Sequence, residues 1–145
     1  MMKERSSTAL RTRAFARVLG PFLAIVTATV IYRMPQMGQI LTDFFSNSSV
    51  VWITGAILLL FGVIIIAFHQ YWTSPAAVLV SLLGWFLALR GAVLIVVPNL
   101  MLSGGEAAMQ HAPLVQLGFG IMTLIGLYLT YVGWIAKPRF EADKP

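Results

Sequence analysis

Four apolar stretches, Val18–Tyr32, Val50–Phe68, Ala76–Val97 and Leu114–Ala136, alternate along the chain with short polar segments. Three of them run to about 19–23 residues, the length a helix rising about 1.5 Å per residue needs to cross a hydrocarbon layer about 30 Å thick. Only a helix or a closed barrel satisfies its backbone there, and unbroken apolar runs of this length are helical. The pattern predicts an all-α membrane protein, a four-transmembrane-helix bundle with spans at about residues 14–33, 50–69, 76–97 and 114–136. The first apolar run is the shortest and follows a basic segment, as in a signal peptide. Tyr32-Arg33-Met34-Pro35 closes it where a small-residue cleavage site would be needed, so it reads as an uncleaved anchor with Arg17 snorkelling toward the headgroups.

Between the first two spans the periodicity changes. Pro35 can open a helix, and Met37, Ile40, Leu41, Phe44 and Phe45 recur at three- and four-residue spacing opposite Gln36, Gln39, Thr42 and Asp43. This predicts a short interfacial amphipathic helix at about residues 35–46, with a lid folded over the bundle as the alternative. The link Thr73-Ser74-Pro75 is too short to cross a bundle, so the second and third spans must be antiparallel neighbours. Pro98 stops the third span, and Ser103-Gly104-Gly105 reads as an outer loop, with one helical turn over Glu106–Gln110.

Composition agrees with lipid as the solvent: of 145 residues, 59% are hydrophobic and 10% charged, and the spans leave room for one transmembrane domain only. The absence of cysteine excludes disulfides, thiol nucleophiles and thiol redox chemistry. The net charge of +5 is not a nucleic-acid footprint, because the basic residues cluster at span ends. Lys3, Arg5, Arg11, Arg13 and Arg17 precede the first span and Lys137, Arg139 and Lys144 follow the last. By the positive-inside rule both termini are expected in the cytoplasm, in a bacterial inner membrane.

Small residues Ala77, Ser81, Gly84, Ala88 and Gly91 line one stripe of the third span, and Gly120 sits among the small and polar residues of the fourth; Gly84, Ala88, Gly91 and Gly120 are the expected helix-packing positions. Arg90 is the one charge well inside an apolar run, about 140° round the helix from that stripe. It either snorkels to the headgroups or meets Glu106, Asp43, an anionic lipid or substrate, or another subunit. His69, followed by Gln70, Tyr71 and Trp72, reads as an interfacial anchor in an aromatic belt. His111 falls on the opposite side of the membrane, so the pair cannot hold one haem or metal between them. No metalloprotease motif, phosphate-cradling glycine loop or intramembrane carboxylate pair is present, and no adjacent base is expected for Ser74, Ser81 or Ser103.

His69-x-x-Trp72, Gly84-Trp85, Arg90-Gly91 and Pro98 together resemble a pattern in small bacterial four-span integral membrane proteins to which no reaction is assigned. The resemblance covers the central hairpin and implies neither substrate nor cofactor. The expectation is a non-enzymatic accessory or assembly subunit packing against another membrane protein or itself, with membrane lipids around it. Arg90, His69, Trp72, Trp85 and Glu106 are its candidate binding or partner contacts, and no catalytic residue, metal or cofactor is expected. A minimal oligomeric transporter or channel is the competing reading.

Overall fold

The computed structural model describes residues 2–136, and every element in it is helical. The chain runs α1 (Met2–Tyr32), a 3-10 turn (Met34–Gln36), α2 (Met37–Ser46), α3 (Ser48–Phe68), α4 (Pro75–Val96), α5 (Pro98–Met109) and α6 (Ala112–Thr130), which ends in a π-helical turn (Tyr131–Ile135). Four segments are long and apolar enough to cross a membrane: Thr8–Tyr32, Ser48–Phe68, Pro75–Val96 and Ala112–Ile135. They lie up and down, so both described ends of the chain meet at one end of the bundle, here the termini end. The helices α2 and α5 lie at the other, the cap end, against α3 and α4. Lys137, Arg139 and Lys144 lie outside the described residues.

Local chemistry sets the boundaries. The Asn47 side chain accepts a hydrogen bond from the Val50 amide at 3.2 Å to cap α3, and Ser74 does the same for Ala77 at 3.2 Å with Pro75 as the first helical residue of α4. Pro98 likewise ends one helix and begins the next. Residues 98–109 are therefore helical where the Ser103-Gly104-Gly105 composition predicts a loop. Gly105 survives in α5 because Leu41 of α2 lies against it; a Cβ there would stand 2.9 Å from the Leu41 side chain. The amphipathic helix thus packs against α5 and the start of α3.

Helices in lipid gain little from burying apolar side chains, so close backbone approach decides which of them pair. Here α3 packs along α4, and α1 along α6. In the first pair a Cβ on Gly91 would lie 2.7 Å from the Gly55 carbonyl oxygen, and one on Gly62 would lie 2.6 Å from the Ala88 Cα. Gly84 meets Ile65 in the same seam. In the second pair Gly126 meets Ala24, Gly20 meets Leu129 and Thr130, and Gly133 meets Ala16 and Arg17. A hydrogen bond between Thr27 Oγ1 and Thr123 Oγ1, 2.8 Å, lies in this second seam. Gly84, Ala88 and Gly91 occupy the packing seam as their spacing predicts. Gly120 does not: nothing lies within 4 Å of where its Cβ would be, because at about 100° per residue it falls some 120° round α6 from the seam residue Gly126.

The two pairs meet mainly through α1 and α4. The core cluster of Ala16, Ile65, Ala76, Val80 and Leu129, with Phe15, Leu19, Leu87, Ile125 and Val132 around it, belongs mainly to the termini-end half. Three stripes start in that core and leave it. On α1, Phe15 and Leu19 are packed, whereas Phe22 and Val26, next on the same face, are 61% and 43% exposed. On α6, Leu129 and Ile125 are packed, whereas Ile121 and Leu114 are 51% and 67% exposed and Gly118 has open space before it. On α4, Ala76, Val80, Leu83 and Leu87 lead at the same spacing to exposed Arg90. Touching at one end, the pairs stand apart at the other, and the crevice between them opens toward the cap end.

Candidate functional site

His69 is the joint between the pairs. It is the C-cap of α3, just beyond the span, and its ring is fully buried at 0% exposure, which corrects the expectation of an interfacial anchor. Nε2 lies 2.9 Å from Thr12 Oγ1 on α1, and Nδ1 lies 3.2 Å from Ser81 Oγ on α4, which corrects the expectation that Ser81 has no adjacent base. Phe15 and Tyr71 close over the ring edge-on, with centroids at 5.4 and 5.3 Å. The Arg11 guanidinium reaches the Tyr71 hydroxyl at 3.4 Å. One imidazole therefore ties α1, α3 and α4 together.

Both hydroxyls around the ring also have carbonyls to which they can donate. Thr12 Oγ1 is 3.0 Å from the Thr8 carbonyl, and Ser81 Oγ is 3.1 Å from that of Tyr71 and 3.3 Å from that of His69. If both hydroxyls donate to carbonyls, each ring nitrogen faces a lone pair and must carry a proton. A neutral ring needs one hydroxyl to turn and donate to it instead. Burial pushes the His69 pKa below the ordinary 6.5, against a smaller opposing contribution from its own backbone hydrogen bond, so the neutral ring is the form held at pH 7.

A second polar cluster latches α1 to α6 at the termini end. Arg13 Nε and Arg17 Nε both donate to the Gly133 carbonyl, at 3.0 and 2.8 Å, where the negative end of the α6 dipole adds to the attraction. Arg17 thus binds a neighbouring helix rather than reaching for headgroups. Pro21, inside α1, has no N–H and leaves the Arg17 carbonyl without its helical donor; Trp134 Nε1 supplies one from α6 at 3.1 Å. The Arg17 guanidinium also stands 5.9 Å from the Trp134 ring.

The expected contact residues are not gathered into one site. Trp72 is exposed in the α3–α4 turn, Trp85 is exposed midway along α4, and Glu106 is exposed on α5. Arg90 is exposed, and its one polar contact among the described residues is a long one from Nη1 to Met101 Sδ at 3.8 Å. It forms no ion pair with Glu106 or Asp43. At the cap end, Phe45, Val51, Trp52, Leu94, Pro98 and Asn99 line a half-open cleft of about 240 Å³ between α2, α3, α4 and α5. Among the described residues no group of three His, Asp or Glu side chains is placed to hold a metal ion. Compared with protein-family models, curated proteins and solved structures, the chain matches none.

Proposed function

We propose that this protein is a non-enzymatic integral membrane subunit that works by lateral association, with another membrane protein or a second copy of itself, through the free side of α6. The observation that carries this reading is the contrast among the glycines of the spans. Gly20, Gly55, Gly62, Gly84, Gly91, Gly126 and Gly133 are each pressed against a neighbouring helix, whereas Gly120, on the side of α6 turned away from the core, faces open space. Gly120 shares its side of α6 with Gln116, an exposed amide with no hydrogen-bond partner among the described residues. A small residue beside an unsatisfied amide is what a second helix uses for close approach and an interhelical hydrogen bond. In this reading the termini face the cytoplasm of a bacterial inner membrane, as the basic clusters favour.

Purification in mild detergent with mass measurement of the intact particle tests it. The expected result is an oligomer or a complex with a second membrane protein, lost in Gly120→Leu without loss of thermal stability, since no neighbour crowds that position. A strict monomer with nothing bound, or an association indifferent to Gly120→Leu, rejects it. The competing reading, a minimal oligomeric transporter or channel, draws support from a bundle closed at His69 and open at the cap end. It has one ionisable group, Arg90, on which to build a path.

A further inference from the structure

We infer that the crevice between the two helix pairs is a binding site for one anionic phospholipid of the cap-end leaflet, with its phosphate on Arg90 and an acyl chain between α1 and α6 on one side and α4 on the other.

Three observations converge on it. The crevice has to be filled, because in a membrane an apolar gap of this kind holds either protein or acyl chain. Its walls are apolar: Phe22 and Val26 on α1, Ile121 on α6 and Leu83 on α4 lie on the stripes that leave the core, and Gly118 leaves the space before it empty. The single charge on these walls is a guanidinium with no ionic partner among the described residues.

Depth selects a lipid over a partner helix. Arg90 is six residues, about 9 Å of helix rise, from the end of α4 at Val96. From there an arginine stem can lie along the apolar wall while its head reaches phosphate depth. A guanidinium binds phosphate oxygens through a fork of parallel N–H donors, a geometry that a weak thioether contact to Met101 does not replace. A second copy of this chain offers Asp43 and Glu106 as counter-charges, but both are exposed on the cap helices, outside the spans. The site is distinct from the Gln116–Gly120 side of α6, because Gly118 and Ile121 lie on the core-facing stripe.

The test is native mass spectrometry of the full chain in detergent, titrated with phosphatidylglycerol or phosphatidylcholine of matched chains and, separately, with soluble glycerol 3-phosphate. The expected result is one phosphatidylglycerol bound at least about 10-fold more tightly than phosphatidylcholine, with no competition from glycerol 3-phosphate, since the acyl chain contributes through apolar burial. Arg90→Leu and Arg90→Gln should both erase the preference for the anionic lipid. Gly118→Leu should weaken both lipids by filling the groove while leaving the fold intact, because its Cβ meets no neighbour. Equal binding of the two lipids by the native protein, or a preference that persists in both Arg90 variants, overturns the inference. Effective competition by glycerol 3-phosphate would replace the lipid with a free phosphate. A protein subunit released by the Arg90 variants, with no bound lipid, would replace it with a partner helix.

Discussion

The seams inside the two helix pairs and the seam between them are built on different principles. Within α3–α4 and α1–α6, backbone lies on backbone at Gly55–Gly91, Gly62–Ala88 and Gly126–Ala24, so close approach runs along most of the span. Between the pairs, side chains make the contact: Phe15, Leu19, Val80 and the His69 hydrogen bonds, all in the termini-end half. Dispersion between tightly apposed helices needs no water to be expelled and acts throughout the hydrocarbon. A side-chain seam with a buried imidazole depends instead on one polar group staying paired. The molecule is therefore built as two helix pairs on one joint.

The sharpest way to break this contrast is to spoil a backbone seam. Gly91→Leu places a branched side chain where a Cβ alone would already stand 2.8 Å from the Leu59 Cα, and α3 and α4 must separate. We expect a loss of more than about 3 kcal/mol, at the upper end of single-substitution effects, read as a large fall in detergent thermal stability. The same change at Gly120, where nothing is near, should leave stability within about 0.5 kcal/mol of native. Equal stability for the two variants would remove the distinction.

A smaller effect is expected at the joint. His69→Ala strips the shared partner from Thr12 and Ser81 and opens a cavity, for a loss of about 1–3 kcal/mol. Spin labels on α1 and α4 should show the termini-end distance broadening while distances within α3–α4 stay fixed. The pH dependence has a definite sign. With the folded pKa depressed below 6.5, the unfolded chain binds the proton more readily, so this contribution is complete above pH 6.5 and is lost as pH falls through the folded value. Native protein should lose stability on acidification from pH 7.5 to 5, and His69→Gln should lose less; parallel pH profiles would assign the loss to other groups.

The smallest effect belongs to Thr27→Val, which removes the intramembrane hydroxyl bond to Thr123. Interhelical hydrogen bonds in membranes average about 0.6 kcal/mol, because each hydroxyl can fall back on a carbonyl of its own helix. Thr27 has the Leu23 carbonyl at 2.7 Å and Thr123 that of Phe119 at 2.9 Å. A double-mutant cycle with Thr123→Val should return a coupling of that size, and one above about 2 kcal/mol would make this seam polar rather than steric.

Much of the fold is legible in the sequence because lipid imposes few alternatives. Span length, the tight Thr73-Ser74-Pro75 turn and the small stripe from Ala77 to Gly91 lead directly to α3, α4 and their seam. The pairing of α1 with α6 is not legible, since long connections leave the partner of the first span open and the decisive contacts, such as Gly133 on Arg17, join residues distant in the chain. The helix over residues 98–109 is hidden by its own glycines, which composition assigns to a loop and the α2 contact retains in a helix. His69 is misread because its neighbours Tyr71 and Trp72 look like a belt. The signal was there in its spacing: seven residues from Gly62, itself seven from Gly55, it continues the side of α3 that meets α4 and Ser81.

The donor that Trp134 lends to the Arg17 carbonyl changes what Pro21 does to its helix. A proline within a span normally frees a carbonyl and gives the helix a place to bend by itself. Here that oxygen is held by the far end of the chain's last span, on the same surface where Arg13 and Arg17 grip Gly133. Any flexing of α1 at this point must carry the end of α6 with it, so that what would be a local hinge becomes a lever shared by the first and last helices.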